Sequence, residues 1–290
     1  LREQPEYVDA KKCINCGRCT EVCPVERPSG FQMGLTTRKA ISKSAPRAVP
    51  DAYYLLEKTA QCDICHQCVD ICPTAAIDLH AATRERTIRV GAVILAVGYK
   101  PFNPSGMQEY GYGRYPNVIT SMQYERLASR SGPTEGVVAR LSDGKRPEKI
   151  AWLQCVGSRD QTHDYCSSVC CMYATKEAII AKEHANFVEP TIFYMDVRSF
   201  GKGFEGYIER ARGEYRIRYI RCMVSSVNEV PGSKNLRLGY VAYEGCNGRK
   251  PRLHEEEFDL VVLCVGLKPS PAARATAERL GVELNEYGFV

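Results

Sequence analysis

The sequence lacks several features that would assign a protein directly to a structural or functional class. Its longest apolar runs, Ala92–Val97 and Leu260–Val265, are far shorter than the ~20 residues that a membrane-spanning helix needs. No signal peptide is visible at the start, and the five histidines form no recognisable Ser–His–Asp set. These absences argue against a membrane-spanning protein, a secreted protein and a hydrolase with such a triad. We therefore expect a soluble, cytoplasmic protein.

The sequence also has no strong excess of positive or negative charge. The formal net charge is only +5, the basic residues are scattered, and aromatic residues do not alternate with them. A nucleic-acid-binding surface would need clustered basic residues. We therefore expect no nucleic-acid partner.

Cysteine, in contrast, is abundant. Twelve of the fifteen cysteines fall into three tight groups, whereas the disulfide framework of a secreted protein would spread them. Grouped cysteines in a chain without a signal peptide favour metal sites in a reducing cytoplasm. The other three, Cys222, Cys246 and Cys264, lie in or near strand-like runs, and we expect them to be small apolar core residues.

Eight cysteines form two copies of the pattern Cys-x2-Cys-x2-Cys-x3-Cys-Pro. The first copy uses Cys13, Cys16, Cys19 and Cys23, and the second uses Cys62, Cys65, Cys68 and Cys72. This is the spacing of bacterial ferredoxins, in which the fourth cysteine of each run binds the other cluster. We therefore assign Cys13, Cys16, Cys19 and Cys72 to one [4Fe–4S] cluster, and Cys62, Cys65, Cys68 and Cys23 to a second. Zinc, which prefers paired CxxC units, is the weaker alternative.

The segment between the two runs, Val25 to Gln61, is long for a ferredoxin. Its glycines, prolines and basic residues predict a surface excursion. A contact with a neighbouring subunit or domain and a simple solvated loop remain equally open. His66 lies inside the second run, where we expect at most an indirect influence on the cluster.

Two strand-like segments end in similar sequences. Thr87–Gly98 reads as a hairpin-like pair ending in a buried strand and is followed by Tyr-Lys-Pro, and Phe258–Gly266 is followed by Leu-Lys-Pro. Two-dinucleotide-domain flavoprotein reductases have similar segments where the chain leaves each nucleotide-binding domain. Gly98 and Gly266 are therefore candidates for close backbone approach to a nucleotide.

Between these segments, strand-like and helix-like runs alternate. They are strands Lys149–Val156, Thr191–Val197 and Arg216–Val224, helices Ser168–Ala185 and Phe204–Gly213, and a later antiparallel strand, Leu236–Tyr243. This alternation predicts a parallel sheet with ligands at the carboxyl ends of its strands. No GxGxxG loop follows the first strand, so ordinary NAD(P)H binding loses its main support.

Four cysteines occupy the junction where that glycine loop would lie. They are Cys155, Cys166, Cys170 and Cys171. A helix amino terminus there would stabilise an anionic cluster, and four thiolates suit iron–sulfur or zinc. A third [4Fe–4S] cluster is the preferred interpretation; zinc, a redox disulfide and buried spare thiols remain alternatives. Because adjacent ligands are unusual for a cubane, one of Cys170 and Cys171 is the weakest assignment.

Lys176, on the helix that follows, has two readings. It is either a solvated helix residue or a cation near a flavin ring that stabilises the reduced anion, which would make it the catalytic candidate. The stretch Phe200–Glu205 predicts a tight loop and helix start, which we place toward a cofactor crevice.

The combination resembles the family of heterodisulfide reductase A subunits, the iron–sulfur flavoproteins that also occur in related electron-transfer complexes of sulfate reducers. Besides the ferredoxin runs, the resemblance is carried by GLTTRKAI, GYGRYPNVIT, CVGSRD, YCSSVCCMYATKEAI and FYMDVRSFGKGFE. It covers nearly the whole chain.

The resemblance implies a fold and a function. The fold is α/β, a partial thioredoxin-reductase-like two-dinucleotide-domain fold with an inserted α+β bacterial 2[4Fe–4S] ferredoxin domain. The function is electron transfer between [4Fe–4S] clusters and FAD, with flavin-based bifurcation in the intact protein. Implied partners are B- and C-type heterodisulfide reductase subunits, a hydrogenase or formate dehydrogenase input module, and ferredoxin.

The sequence departs from the family pattern at the flavin. The GxGxxG unit and the late Gly-Asp motif are missing, so we expect a fragment of a longer protein that holds little or no FAD alone. The predicted segments are a ferredoxin-like domain at 1–86, part of an FAD domain at 87–145, a second Rossmann-like domain at 146–257, and a return to the FAD domain at 258–290. Alternatives are an A-type subunit of a quinone-linked or sulfate-reducer complex and a flavin-free ferredoxin-like adaptor.

Overall fold

The computed structural model describes residues 2–244 and 250–290, so the predicted core position of Cys246 lies outside the described residues. The chain forms two compact units, of which the first ends at Ile94 and the second runs from Leu95 to Val290. Both mix helices with strands. Within the described ranges, no helix combines the length and the apolar character needed to cross a membrane.

The first unit is built from short elements. They are β1 (Arg2–Glu3), α1 (Arg18–Val22), β2 (Glu26–Pro28), β3 (Thr37–Lys39), β4 (Ile41–Ser42), β5 (Tyr54–Leu55), α2 (Cys62–Cys65), α3 (Gln67–Asp70) and β6 (Arg84–Glu85). The strands pair antiparallel as β1–β6, β2–β3 and β4–β5. The first cysteine run thus contributes one short helix and the second contributes two, and β2 to β5 lie between the runs.

The segment between the cysteine runs belongs to the core of the first unit. Ala40 and Ile41 are fully buried and pack in one apolar cluster with Cys19, Cys23 and Ile77. Thr20 Oγ1 donates to the carbonyl of Ile41 at 2.8 Å. The segment is therefore more than the surface excursion expected from its composition, because its central strand fills the small core beside the cysteines.

The predicted strand at Thr87–Gly98 is wrong. Residues 86–98 contain no strand, and Val93, Ile94 and Val97 are 61%, 91% and 44% exposed. An apolar run forms a strand only where a neighbouring strand satisfies its backbone groups. Among the described residues, no strand pairs with this run, so its apolar side chains stay on the surface.

The second unit is centred on a parallel sheet, as the alternating pattern predicts. Its strands and helices are β7 (Tyr99–Pro101), β8 (Val118–Thr120), α4 (Ser121–Ala128), β9 (Lys149–Val156), α5 (Cys170–His184), β10 (Glu189–Tyr194), α6 (Phe204–Gly213), β11 (Arg218–Arg221), β12 (Val224–Glu229), β13 (Leu236–Glu244), β14 (Lys250–Phe258), β15 (Leu260–Val265), β16 (Leu267–Pro269) and α7 (Pro271–Leu280). The order in the parallel sheet is β11-β10-β9-β15-β8. The strand order reverses direction at β9, which leaves a crevice between the carboxyl ends of β9 and β15.

One predicted strand is divided in two. The run Arg216–Val224 contributes β11 to the parallel sheet, while β12 starts at Val224 and joins the antiparallel sheet β12-β13-β14. Met223, at the junction, is 60% exposed. Side chains on both sides of the junction pack against the same core, Ile220 and Cys222 before it and Val224 and Val227 after it.

The two segments with matching Lys-Pro ends meet in space. β16 pairs antiparallel with β7, which sets Lys268 opposite Lys100, and the amide of Phe102 donates to the carbonyl of Gly266 at 2.8 Å. The similarity noticed in the sequence therefore corresponds to direct strand pairing.

A buried acid lies behind the sheet of the second unit. Glu177 on α5 is 1% exposed, and its Oε2 accepts from Trp152 Nε1 at 2.8 Å. Among the residues that the structure describes, none forms a hydrogen bond with its Oε1. Burial raises the pKa of Glu177 well above the usual value of 4.5, and the Trp152 hydrogen bond opposes this shift only in part. Burial therefore favours the protonated form of this carboxyl group in the fold.

Glu177→Gln should remove a pH dependence of stability. The folded-state pKa lies above the unfolded one, so unfolding releases a proton above pH 4.5 and stability falls by about 1.4 kcal/mol per pH unit until the folded-state pKa is reached. Glutamine keeps the shape without ionising. Urea denaturation should show the variant to be the more stable protein at pH 8, with a smaller difference at pH 5. Glu125→Gln, at a partly exposed ion pair with Lys176, is the control, and an equal gain there would contradict this reading.

Candidate iron–sulfur centre

Four thiols of the first unit surround one small cavity. Cys13, Cys16, Cys19 and Cys72 all line it. Three come from the first run, and the fourth comes from the end of the second. The amide of Ala76 donates to Cys72 Sγ at 3.3 Å, an N–H···S contact of the kind that tunes iron–sulfur clusters. The structure thus brings together the set that the sequence assigns to one cluster.

The thiol of Cys68 lies near other thiols of the ferredoxin runs. Burial raises the pKa of Cys68 to about 11, and the nearby thiols of Cys23, Cys19 and Cys62 add to the shift. Cys65 ends the helical turn that begins at Cys62. Cys68 thus has both Cys23 and Cys19 of the first run near it, so the assignment of Cys23 to the second cluster stays a prediction.

The thiol groups are not arranged around single ions. Among the described residues, no three His, Cys, Asp or Glu side chains are placed to hold one metal ion. A tetrahedral zinc site would draw its sulfurs to ~2.3 Å from one point.

The third cysteine group lies at the crevice of the parallel sheet. Cys155 is at the end of β9, and Cys170 and Cys171 open α5. These three and Cys166 line one small cavity. Cys170 Sγ lies 3.8 Å from the carbonyl oxygen of Val265, at the end of β15. The four thiols therefore meet at the point where the strand order reverses.

The loop from β9 to α5 is fixed against β16. Ser158 Oγ and Ser167 Oγ are 2.7 Å apart, and Ser167 Oγ accepts from the amide of Leu267 at 2.9 Å. Tyr165 Oη donates to the carbonyl of Leu267 at 2.8 Å. A Cβ on Gly266 would lie 2.8 Å from the Gly157 oxygen. This loop holds Cys166 over the cavity, and Gly266 allows its close approach.

Burial favours the neutral form of three of these thiols. It raises the pKa of Cys155 to about 11 and that of Cys170 to about 12. It also raises the pKa of Cys171, although the Arg198 amide opposes the shift. Four thiolates at one cavity, two of them buried, need a positively charged partner, and a cubane core would supply one while the protons are released. The amino terminus of α5 favours the remaining negative charge.

Both adjacent cysteines face the cavity. Cys171 Sγ accepts from the Arg198 amide at 3.4 Å and lies 3.5 Å from the side-chain oxygen of Gln154. Cys170 is packed more deeply, toward the end of β15. Each has an environment suited to a ligand, so the choice between them stays open.

Three charged residues beside the thiols have no role in the sequence-based prediction. Arg159, Asp196 and Arg198 line the same cavity as the four cysteines. Arg159 follows β9, and Asp196 follows β10. The sequence did contain a signal for them, because charged residues that directly follow adjacent parallel strands lie at the ligand-binding edge of the sheet.

Comparison with known proteins adds the family context. Residues 12–77 match the family described as 4Fe-4S dicluster domain. The second iron–sulfur A subunit of the CoB–CoM heterodisulfide reductase of Methanopyrus kandleri is 45% identical over the whole chain, which covers 43% of that relative. The corresponding A subunit of Methanocaldococcus jannaschii is 41% identical over the same shares. The A subunit of the ferredoxin:CoB–CoM heterodisulfide reductase of Methanosarcina mazei is 38% identical over 97% of the chain and 35% of the relative.

The chain resembles part of a heterodisulfide reductase A subunit. The sequence-based recognition is thereby confirmed. Residues 12–77 are a 4Fe–4S dicluster domain. The chain spans less than half the length of these curated relatives, so what a whole A subunit does and binds enters only as a proposal.

Two of the three residues predicted to face a flavin have other partners in the structure. Lys176 forms an ion pair with Glu125 on α4. Gly266 contacts the loop after β9 rather than open space, whereas at Gly98, with φ +68°, nothing lies within 4 Å of an added Cβ. These residues do not form a flavin site by themselves, and their proposed roles stay predictions.

Proposed function

We propose that this chain is the cluster-bearing part of a heterodisulfide reductase A-type subunit, in which it carries electrons through three [4Fe–4S] clusters. The supporting observation is that thiols distant in sequence line common cavities, with Cys72 among the ligands of the first run and Cys155 among those of α5. A cubane supplies one-electron transfer when bound. The dicluster match supports the first two clusters.

The residues of the chain position and tune rather than transfer protons. Amide groups donate to the sulfurs of Cys72, Cys166 and Cys171. Such donors stabilise thiolate charge and raise the potential of a cluster. Burial of Cys19, Cys23, Cys62, Cys170 and Cys171 keeps water away from part of each group.

The wider setting is part of the same proposal. In a whole subunit the clusters would exchange electrons with FAD held by a thioredoxin-reductase-like domain, with flavin-based bifurcation. B- and C-type subunits, a hydrogenase or formate dehydrogenase module, and ferredoxin would be the partners, in the reducing cytoplasm. The resemblance to A subunits supports this.

A flavin-free adaptor is the second candidate. The lack of a GxGxxG loop after β9 supports it for this chain alone. Flavin content separates the two: a complete subunit should bind about one FAD per chain with the flavin band visible beside the iron–sulfur absorbance, and an adaptor should bind none.

The third cluster is tested by Cys155→Ala in the complete subunit, purified anaerobically. The variant should lose about four iron atoms per chain relative to the wild type, because a cubane with one fewer thiolate is released. Cys222→Ala, a partly buried cysteine outside the groups, is the matched control and should lose none. Full iron content in Cys155→Ala would refute the site, and zinc in its place would show that the metal was misassigned.

A further inference from the structure

A carboxylate and two guanidinium groups lie beside the third group of thiols. Asp196 Oδ2 accepts from Arg159 Nη2 at 3.2 Å, Oδ1 accepts from Arg159 Nη1, and Oδ1 also accepts from Arg198 Nε at 3.3 Å. The two parallel bonds to Arg159 fix the plane of its guanidinium. Asp196 therefore holds a cation in one orientation.

That cation lies beside the thiols. Arg159 lines the same small cavity as Cys155 and the other three cysteines of the group, and its side chain is 22% exposed. The backbone of Arg159 adopts φ +60°, and its amide donates to the carbonyls of His163 at 2.7 Å and Tyr165 at 3.0 Å. A non-glycine residue in this conformation is usually over-determined by its surroundings. The backbone amide and the guanidinium of Arg159 are thus both held in place by hydrogen bonds at the site.

Reduction of a cubane increases the negative charge that Arg159 faces. The cluster with its four thiolates carries about 2−, and one electron from a one-electron carrier makes it about 3−. A cation in a partly buried site stabilises the reduced form more than the oxidised form. We propose that Arg159, positioned by Asp196, raises the reduction potential of the cluster at Cys155, Cys166, Cys170 and Cys171. The inference rests on the proposed third cluster.

Asp196 has two opposing effects, and their balance gives the test its sign. Its own negative charge lowers the potential, but its side chain is 43% exposed, and solvent and salt screen it. Its hydrogen bonds to Arg159 raise the reduction potential of the cluster, because they keep the guanidinium beside the thiols. Because Asp196 is the more exposed partner and Arg159 lines the cavity of the thiols, displacement of the guanidinium should change the potential more than loss of the screened carboxylate charge.

The experiment measures the midpoint potential of the third cluster by EPR-monitored redox titration of the complete subunit. The signal is identified as the one that Cys155→Ala abolishes. Arg159→Met should lower the potential, and Asp196→Asn should lower it too, although it removes a negative charge. In the Arg159→Met background, Asp196→Asn should no longer lower it. Arg218→Met, at a partly exposed pair with Glu256 in the same unit, is the matched control and should leave the potential unchanged.

The outcomes separate this inference from the proposed function. An unchanged potential in Arg159→Met, or an upward shift in Asp196→Asn, overturns the positioning role. If Arg159→Met loses the iron of the cluster, the potential measured in Asp196→Asn decides the test by itself. That variant keeps both Arg159 and the four cysteines. If Cys155→Ala retains its full iron content, the third cluster is absent. That result would refute the three-cluster proposal before the role of Arg159 could be tested.

Discussion

Cys72→Ala should remove about four iron atoms per chain from the cluster that contains Cys13, although Cys72 lies in the second cysteine run. The structure places Cys72 at the same cavity as Cys13, Cys16 and Cys19. A cubane that loses one of four thiolates is released or degraded, and its four irons leave together. Iron content of the anaerobically purified complete subunit, with the loss of one EPR signal, is the measurement.

Double variants decide which cysteines share a cluster. Cys72→Ala with Cys13→Ala should lose no more iron than either single variant, because both ligands belong to one cluster. Cys72→Ala with Cys62→Ala should lose about eight irons, because two clusters are affected. The reverse pattern would show that each run holds its own cluster.

Gly157→Ala should destabilise the second unit by about 2–5 kcal/mol. Gly157 has φ +67°, and a Cβ there would lie 2.2 Å from the ring of Phe102. The left-handed backbone costs an L-residue about 1–2 kcal/mol, and overpacking adds about 1–3 kcal/mol. Against a total stability of about 5–15 kcal/mol, this is a large fraction.

Gly144→Ala is the matched control for this substitution. Gly144 has a similar φ of +72°, but no atom lies within 4 Å of an added Cβ. Only the backbone term of about 1–2 kcal/mol should appear. Urea denaturation followed by fluorescence of Trp152, the single tryptophan and fully buried, measures both. Equal losses in the two variants would show that Phe102 yields at little cost.

Local patterns predicted much of the second unit. The strand Lys149–Val156 and the helix Phe204–Gly213 have the predicted bounds, and the antiparallel strand from Leu236 extends one residue further than predicted. Cys264 is fully buried, and Cys222 packs against the core, as expected of small apolar residues. These features depend on periodicity along the chain, which a sequence shows directly.

Other elements could not be predicted because they depend on distant partners. The apolar run before Gly98 reads as a strand, yet no strand in the described residues pairs with it. β8 and its helix α4 were missed because three residues are too few to show a period. Their capping box at Thr120 and Gln123 was the available signal.

The sequence by itself determined the ligand chemistry and the placement of the third cysteine group. Thiol spacing within a run follows from a few bonded neighbours, so two ferredoxin runs and a cysteine-rich junction after β9 are visible without coordinates. Only the tertiary structure decided what surrounds those thiols. Parallel pairing of β9 with β10 and β15 brings Asp196 and Val265 to the end of β9. Such contacts depend on sheet order and register, which residues far apart in the chain set together.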